Sequence, residues 1–426
     1  MTVASDGDQP ERTVWAPRGI FTVAFLGITA GVQMSDTGLQ AVSLSAIQET
    51  FEVSDATVGA LQGFAGVLAG SALAVPLARY SDRYSRKRFL LCLILASTAM
   101  MVLSAIAPNF PLFFIGRSAA GITEFAMVPL VYSLIPDLAP ERHRVASNLS
   151  FAALMAAGAS GGFYFSGTIL ATATELIPFD IEPWRKGFLL LSAAGIPLLL
   201  VGMLTQDPPR RGRESATSSL ATLWPFLKQR WQPFALFVGV AGCLTIAVQA
   251  LNLLIALALE REFNALPGHI GEALGVIVLA TAVGCLPVAG LLDRSMRPWW
   301  GRAVRPFIMG AAAIIGIPVI TLLRFAPSVE QAFVIVGVFL FMTSTANALV
   351  PTMLQDLAPA ELRARCFAVW SFVVSVFSAT GPFVAGFLSD HVFEGHLIEA
   401  ITVTAIPALV ISALCGLRGY ALARKS

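Results

Sequence analysis

Charge is what this chain has least of. Asp, Glu, Lys and Arg make up 13% of its 426 residues, against about 25% in an ordinary soluble domain. A water-soluble fold of this length is excluded, because so few ionic groups cannot coat it. Histidine occurs four times, and the five cysteines, Cys92, Cys243, Cys285, Cys366 and Cys415, have no metal or redox spacing. They read as small buried apolar side chains. A His-Glu metal helix, a Gly-x-Ser-x-Gly elbow and a phosphate-cradling loop are all missing from the sequence. No metal, no cofactor and no enzymatic chemistry is therefore expected, and no nucleic-acid module is recognisable.

What fills the chain instead is apolar: 56% of the residues are hydrophobic. A membrane span needs about 20 apolar residues. A dozen such stretches follow one another, near 18–42, 55–78, 89–107, 112–135, 146–171, 187–205, 232–257, 269–291, 304–323, 330–352, 366–388 and 398–417. The expected fold is all-α and integral to a membrane, with twelve transmembrane helices. The first fourteen residues are polar and mixed in charge, and a cleaved signal peptide is not expected.

Lys and Arg in short loops set orientation. Loops after the even-numbered stretches hold Arg79, Arg83, Arg86, Lys87 and Arg88, then Arg142 and Arg144, then Arg210, Arg211 and Arg213. The same side carries Lys228, Arg230, Arg294, Arg297, Arg302, Arg305, Arg363, Arg365, Arg418, Arg424 and Lys425, whereas the opposite loops hold only Arg185, Lys186, Arg261 and Arg324. Both termini are thus expected in the cytoplasm, with the chain in the cell's inner (plasma) membrane.

Against this background three ionisable residues are out of place. Asp36 lies in the first apolar stretch, and Arg117 and Glu124 both lie in the fourth. A charge near a bilayer centre costs about 2.5–3.5 kcal/mol on insertion scales, so such residues point to a substrate or proton path. Asp36 and Arg117 are each displaced about 9 Å along the helix axis from the middle of their stretch, and should meet at one depth if their helices are neighbours. Arg117 and Glu124 share a helix face but stand about 10.5 Å apart along it. They are not expected to pair directly without bent side chains or a bridging water. Gly121, between them, leaves room for a ligand or a neighbouring backbone. A simple register-fixing pair is the competing reading of Asp36 and Arg117, weakened because a buried ion pair often returns less than it costs.

The chain also repeats itself. Ala78-Arg79-Tyr80-Ser81-Asp82-Arg83 follows the second stretch, and Ala289-Gly290-Leu291-Leu292-Asp293-Arg294 follows the eighth. Asp137-Leu138-Ala139-Pro140 follows the fourth, and Asp356-Leu357-Ala358-Pro359 follows the tenth. Asp82 and Asp293 are 211 residues apart, and Asp137 and Asp356 are 219 apart. Such duplication marks transporters whose halves rock about a central site. The polar segment 206–230 divides the chain into six-span halves, 1–205 and 231–426. Asp82, Arg83, Arg86, Asp293 and Arg294 are then expected to cap helix ends and lock a cytoplasmic gate through ion pairs.

Asp82-Arg83-Tyr84-Ser85-Arg86-Lys87-Arg88 resembles the loop between the second and third helices of the major facilitator superfamily, with Ala78 and Ser85 where that pattern has glycine. Arg117-x-x-x-Gly121 resembles the superfamily's fourth-helix motif. Within the superfamily the first half resembles the spinster branch. Asp36 precedes Ile47-Gln48-x-x-Phe51-x-Val53-Ser54-Asp55 as a first-helix aspartate does there. Arg117-Ser-Ala-Ala-Gly121-Ile122-Thr123-Glu124 is similar to the branch's Arg-Gly-x-x-Gly-Ile-Gly-Glu-Ala. The chain departs at Thr123 and Phe125 and lacks the branch's Asn-Tyr before the aspartate and Arg after it. The resemblance implies a secondary transporter of two six-helix halves and, for the branch, lysophospholipid or sphingoid substrates.

The second half lacks matching ions: at an offset of 219, Arg117 falls on Val336 and Glu124 on Thr343. Gln249, Asn252 and Asn347 are its most polar intramembrane groups. With Tyr132, Tyr164 and Trp370 they are candidates to line a cavity, although the aromatic residues read equally as core. One charged wall and one apolar wall suit an amphiphile. The expected activity is proton-coupled transport, by alternating access, of an amphipathic lysolipid- or sphingolipid-like substrate. The transporter would work as a monomer among membrane lipids, with protons as the coupling ion. Multidrug efflux and proton-coupled organic-anion symport are the alternatives. Gly158, Gly161 and Gly162, and Gly381-Pro382 with Gly386, read as close-packing or bending points. Asp390, His391, Glu394, His396 and Glu399 read as a solvated loop.

Overall fold

The computed structural model describes residues 14–68, 73, 85–207, 223–359 and 362–424. Every regular element among them is helical. Ten helices are long and apolar enough to cross a membrane. An eleventh span consists of two helices, ending at Tyr164 and starting at Ser166, that meet at a bend of 64°. The second span is described through Asp55–Ala60 and Leu61–Leu68; Asp82 and Arg83 lie outside the described residues.

Helix limits follow local chemistry. The fourth span, Phe110–Leu138, starts where Asn109 Oδ1 accepts the Leu112 N–H at 3.0 Å. The tenth, Val329–Asn347 continued by Val350–Leu357, starts where Ser328 Oγ accepts the Gln331 N–H at 3.4 Å. Short polar side chains at this position satisfy amide groups that the first helical turn leaves free. Proline at the start of the sixth span (Pro183) and the eighth (Pro267) uses its fixed φ where no N–H is needed.

Asn109 and Ser328 stand 219 residues apart, the offset found between Asp137 and Asp356. Ion pairing repeats with them. Arg86, at the start of the third span (Arg86–Ile106), donates to Asp137 Oδ2 at 2.5 Å and to the Ser133 carbonyl at 2.8 Å. Arg305, at the start of the ninth (Val304–Leu322), donates to Asp356 and grips both oxygens of Asp293 at 3.0 and 3.2 Å. Each of the two matching pairs is separated by 51 residues. Of the expected gate residues, Arg86 and Asp293 are therefore ion-paired. Arg294 is exposed and forms no ion pair among the described residues. Arg305, counted only as a basic loop residue in sequence, is the cation that organises this corner.

The first span, Gly19–Val42, lies along the fifth, Glu141–Tyr164. A Cβ at Gly158 would come within 2.1 Å of the Gly31 carbonyl oxygen, so the two backbones touch. Gly162 meets the backbone of Ser35 in the same way, whereas Gly161 faces only the Phe165 ring. Among the later spans, the seventh (Trp231–Phe263) packs on the eleventh (Arg363–His391) and twelfth (Leu397–Ala423), and the ninth on the twelfth. Two further packings tie early spans to late ones: second on eleventh, and fifth on eighth (Pro267–Trp300).

The doubled carboxylate at Arg305 generates a prediction. Arg305→Ala leaves Asp293 and Asp356 facing each other without their cation, which should destabilise the fold by about 1–3 kcal/mol after allowance for their partial exposure. The expected readout is a thermal midpoint several degrees lower for the detergent-solubilised protein, partly recovered when Asp293→Asn is added. An unchanged midpoint would show that the cluster carries no stability.

Candidate functional site

The first and fourth spans are neighbours, and their charges meet. Arg117 Nη1 donates to Asp36 Oδ2 at 2.7 Å, with the two side chains 8% and 1% exposed. Thr37 Oγ1 donates to the other Asp36 oxygen at 3.3 Å. The Arg117 guanidinium also lies 5.3 Å from the Phe188 ring centroid, which ties the sixth span into the site. Glu124, partly buried, lies within electrostatic range of both Asp36 and Arg117. Asp36 pairs with Arg117, while Glu124 stands about 10.5 Å (about two helical turns) further along the same helix.

A buried polar strand runs on from Asp36. One turn further along the first helix, Gln40 Nε2 donates to Gln62 Oε1 at 2.9 Å, and Gln62 Nε2 reaches the Leu253 carbonyl of the seventh span at 3.3 Å. One turn in the other direction, both polar atoms of buried Gln33 are without a hydrogen-bond partner among the described residues. Gln33 lines a small cavity with Ser97, Thr98 and Ser192. Polar walls of this kind suit ordered water.

The offset partners of the charged residues are inert. Val336 is fully buried, and Thr343 turns its hydroxyl back onto the Phe339 carbonyl of its own helix at 2.7 Å. Gln249, Asn252 and Asn347 are partly buried. Trp370 is buried and set edge-on to Phe237 at 4.7 Å, a core position rather than an open wall. Tyr132 and Tyr164 both retain large exposed areas; Tyr132 abuts Phe151, and Tyr164 abuts Phe165 and backs onto Gly275 of the eighth span.

At the end of the molecule away from the basic loops, a second polar cluster joins early spans to late ones. Arg261, in the last turn of the seventh helix, holds both oxygens of Asp55 at 2.6 and 2.8 Å and donates to Gln48 Oε1 at 2.6 Å. Ser389 Oγ adds a bond to Asp55 at 2.6 Å. The Asp390 carboxylate accepts the backbone N–H groups of Asp55 and Ala56 at 2.9 and 2.7 Å. An anion at a helix N-terminus and a cation at a helix C-terminus are each favoured by the helix dipole. Around this latch, added Cβ atoms at Gly59 and Gly386 would collide with the backbones of Pro382 and Asp55 respectively. Ser160 Oγ donates to the Gly275 carbonyl at 2.8 Å. This end is closed.

Sequence reading had placed Asp390 in a solvated loop and treated Arg261 as a topological charge. Their convergence was hinted at only by the rarity of cations on that side. Among the described residues, no three His, Cys, Asp or Glu side chains gather closely enough to hold a metal ion.

A twelve-span helical chain with a buried first-to-fourth-span ion pair and repeated loop pairs is what the comparisons also point to. A family profile described as the Major Facilitator Superfamily matches residues 26–382, with an overlapping match over 243–424. The chain belongs to the Major Facilitator Superfamily. It shares the fold of a bacterial homolog to the human lysosomal transporter Spinster in an inward-facing, unoccupied conformation, with a TM-score of 0.81 and 18% identity, covering 96% of this chain and 97% of that one. Curated relatives include an MFS-type efflux pump of Mycolicibacterium smegmatis, 24% identical over 92% of this chain and 88% of its own length. A gentisate transporter of Corynebacterium glutamicum is 24% identical over 88% and 82% respectively. Superfamily membership makes this protein a multi-pass membrane transporter and not an enzyme.

The latch supplies the test of this end of the molecule. Arg261→Gln leaves Asp55, 4% exposed, without a cation. Hydrogen–deuterium exchange of the amides over 54–63 should accelerate by about tenfold or more, as expected when opening becomes easier by some 1.4 kcal/mol. Exchange as slow as in the parent protein would mean that the glycine packing alone holds this end shut.

Proposed function

We propose that this superfamily member is a proton-coupled secondary transporter of an amphipathic substrate with an anionic head, of the lysophospholipid or sphingoid class. In this reading the halves 1–205 and 231–426, joined by 206–230, rock about the Asp36–Arg117–Glu124 site. The protein works as a monomer in the inner membrane with both termini cytoplasmic. Asp82, Arg83, Arg86, Asp293 and Arg294 belong to the cytoplasmic gate.

One observation carries the reading: two carboxyls and one guanidinium are gathered in the early spans, and their offset partners in the late spans are a buried valine and a self-satisfied threonine. The cluster is neutral with one proton bound and carries a net negative charge without it. In a low-dielectric setting that difference is large. A substrate phosphate or carboxylate attracted to Arg117 competes with Asp36 for the same guanidinium. Protonating one of the carboxyls weakens that competition. Proton and anionic head therefore influence one another through a single arginine. A tail would lie toward the uncharged side, where Gln249, Asn252 and Asn347 offer only weak polarity. The sequence resemblance of the first half to the spinster branch is what suggests a lipid-like substrate.

A second reading, symport of an aromatic acid, is favoured by the similarity to the gentisate transporter along most of both chains. It uses the same three residues with a smaller ligand.

Proteoliposomes under an imposed pH gradient separate these readings. Lysophospholipid flux should follow the gradient and exceed that of gentisate or a cationic dye. It should fall about tenfold or more in Asp36→Asn with Glu124→Gln. Flux indifferent to both the gradient and the double variant would sink proton coupling. Gentisate transport in place of lysolipid would leave coupling intact and overturn the substrate.

A further inference from the structure

A cavity of about 690 Å³ opens at the basic-loop end of the late spans, remote in the chain from Asp36, Arg117 and Glu124. The ends of the seventh, eighth, ninth, tenth and twelfth spans enclose it. Its floor is apolar, with buried Phe237 and Met353. One wall is aromatic: Trp300 sits edge-on to Phe307 at 4.5 Å and to Tyr420 at 5.8 Å, and Trp299 beside it is 83% exposed.

The rim is cationic. Arg230, immediately before the seventh helix, makes no ion pair among the described residues. Arg424 leans on Tyr420, with a 3.1 Å bond to its hydroxyl, and likewise has no acidic partner among them. The single carboxylate on the lining, Asp356, is already bound by Arg305. The cavity thus offers two guanidinium groups that have no acidic partner among the described residues, above an apolar pocket and beside exposed Trp299; membrane tryptophans favour the headgroup level. Guanidinium matches phosphate oxygens in geometry and charge. Basic pockets between helix ends on the cytoplasmic side hold anionic headgroups.

The geometry points to a binding site for an anionic phospholipid of the leaflet on the basic-loop side, its phosphate between Arg230 and Arg424 and the start of its acyl chain over Phe237. Orientation by the positive-inside bias requires these arginines to lie on that side. It does not require them to frame a cavity with an apolar floor. The site is independent of the transported substrate. Because it joins the ends of five spans, a bound lipid would brace that end of the late spans as one unit.

Native mass spectrometry of the purified full-length protein, offered equal amounts of phosphatidylglycerol and phosphatidylcholine, tests the assignment. The expected result is about tenfold preferential retention of phosphatidylglycerol, lost in Arg230→Gln with Arg424→Gln and kept in Arg230→Lys with Arg424→Lys. Arg294→Gln with Arg297→Gln removes the same charge outside the cavity and should leave the preference unchanged. So should Asp36→Asn with Glu124→Gln, which separates this site from the proposed transport site. Equal retention of the two lipids, or equal loss in the two arginine-to-glutamine variants, would overturn the site. Complete displacement of the lipid by an equal concentration of glycerol 3-phosphate would assign the cavity to a soluble anion instead and overturn the lipid. Matching elution and melting behaviour of the variants excludes misfolding as the cause of any loss.

Discussion

A guanidinium and a carboxylate 2.7 Å apart and almost wholly withdrawn from water fix how the early spans can be arranged. Removing either partner strands a charge where hydration cannot reach it, a penalty of about 3–5 kcal/mol in buried pairs. The first and fourth helices are therefore held in one relative depth. Phe188 against the guanidinium adds the sixth helix, and the Gly31–Gly158 contact sets the first helix on the fifth. Glu124 adds a second carboxyl within electrostatic range of the same pair. Two carboxylates beside one guanidinium raise the electrostatic cost of the cluster unless a proton or a cationic partner offsets it.

The two ends of the molecule are held by different kinds of contact. At the basic-loop end, Arg86–Asp137 joins the third span to the fourth and Arg305–Asp356 the ninth to the tenth, so each pair stays within early or late spans. At the opposite end the polar contacts cross between them: Arg261 to Asp55 and Gln48, Asp390 and Ser389 to the start of the second span, Ser160 to Gly275. Ion pairs internal to each group of spans can survive a rocking motion, whereas crossing pairs must break for the closed end to open. The Gln40–Gln62–Leu253 strand crosses as well, and it starts one helical turn from Asp36. A change of charge at Asp36 is thus next to a hydrogen-bonded link between the parts that would have to move.

Much of this was legible in the sequence, for a physical reason. Lipid excludes unpaired charge, so an aspartate and an arginine inside apolar stretches must find each other, and counting residues from the middle of each stretch was enough to match Asp36 with Arg117. The repeated loops were visible because the same residues recur at a constant offset. Asn109 with Ser328 and Arg86 with Arg305 extend that offset to positions the loop motifs did not include. What escaped was contact between loops. Asp390 sits among histidines and glutamates that look solvated, and nothing in its spacing reveals that it faces the start of the second span. Trp370 was ambiguous for a related reason: aromatic residues at helical spacing fit a core and a cavity wall alike.

The repeat itself separates architecture from chemistry. Features conserved between early and late spans at an offset of 219 are those that end helices and anchor their tips: an N-terminal cap, an arginine, an aspartate. The residues that carry charge into the membrane are not repeated. Val336 and Thr343 occupy the matching positions without placing any uncompensated polarity there. A symmetric pair of charged sites would present like charges across one shared space and repel at short range. Confining charge to one side leaves the other free to accept apolar surface. The fold is built by duplication, and the two charged positions of the fourth span are places where that duplication is broken.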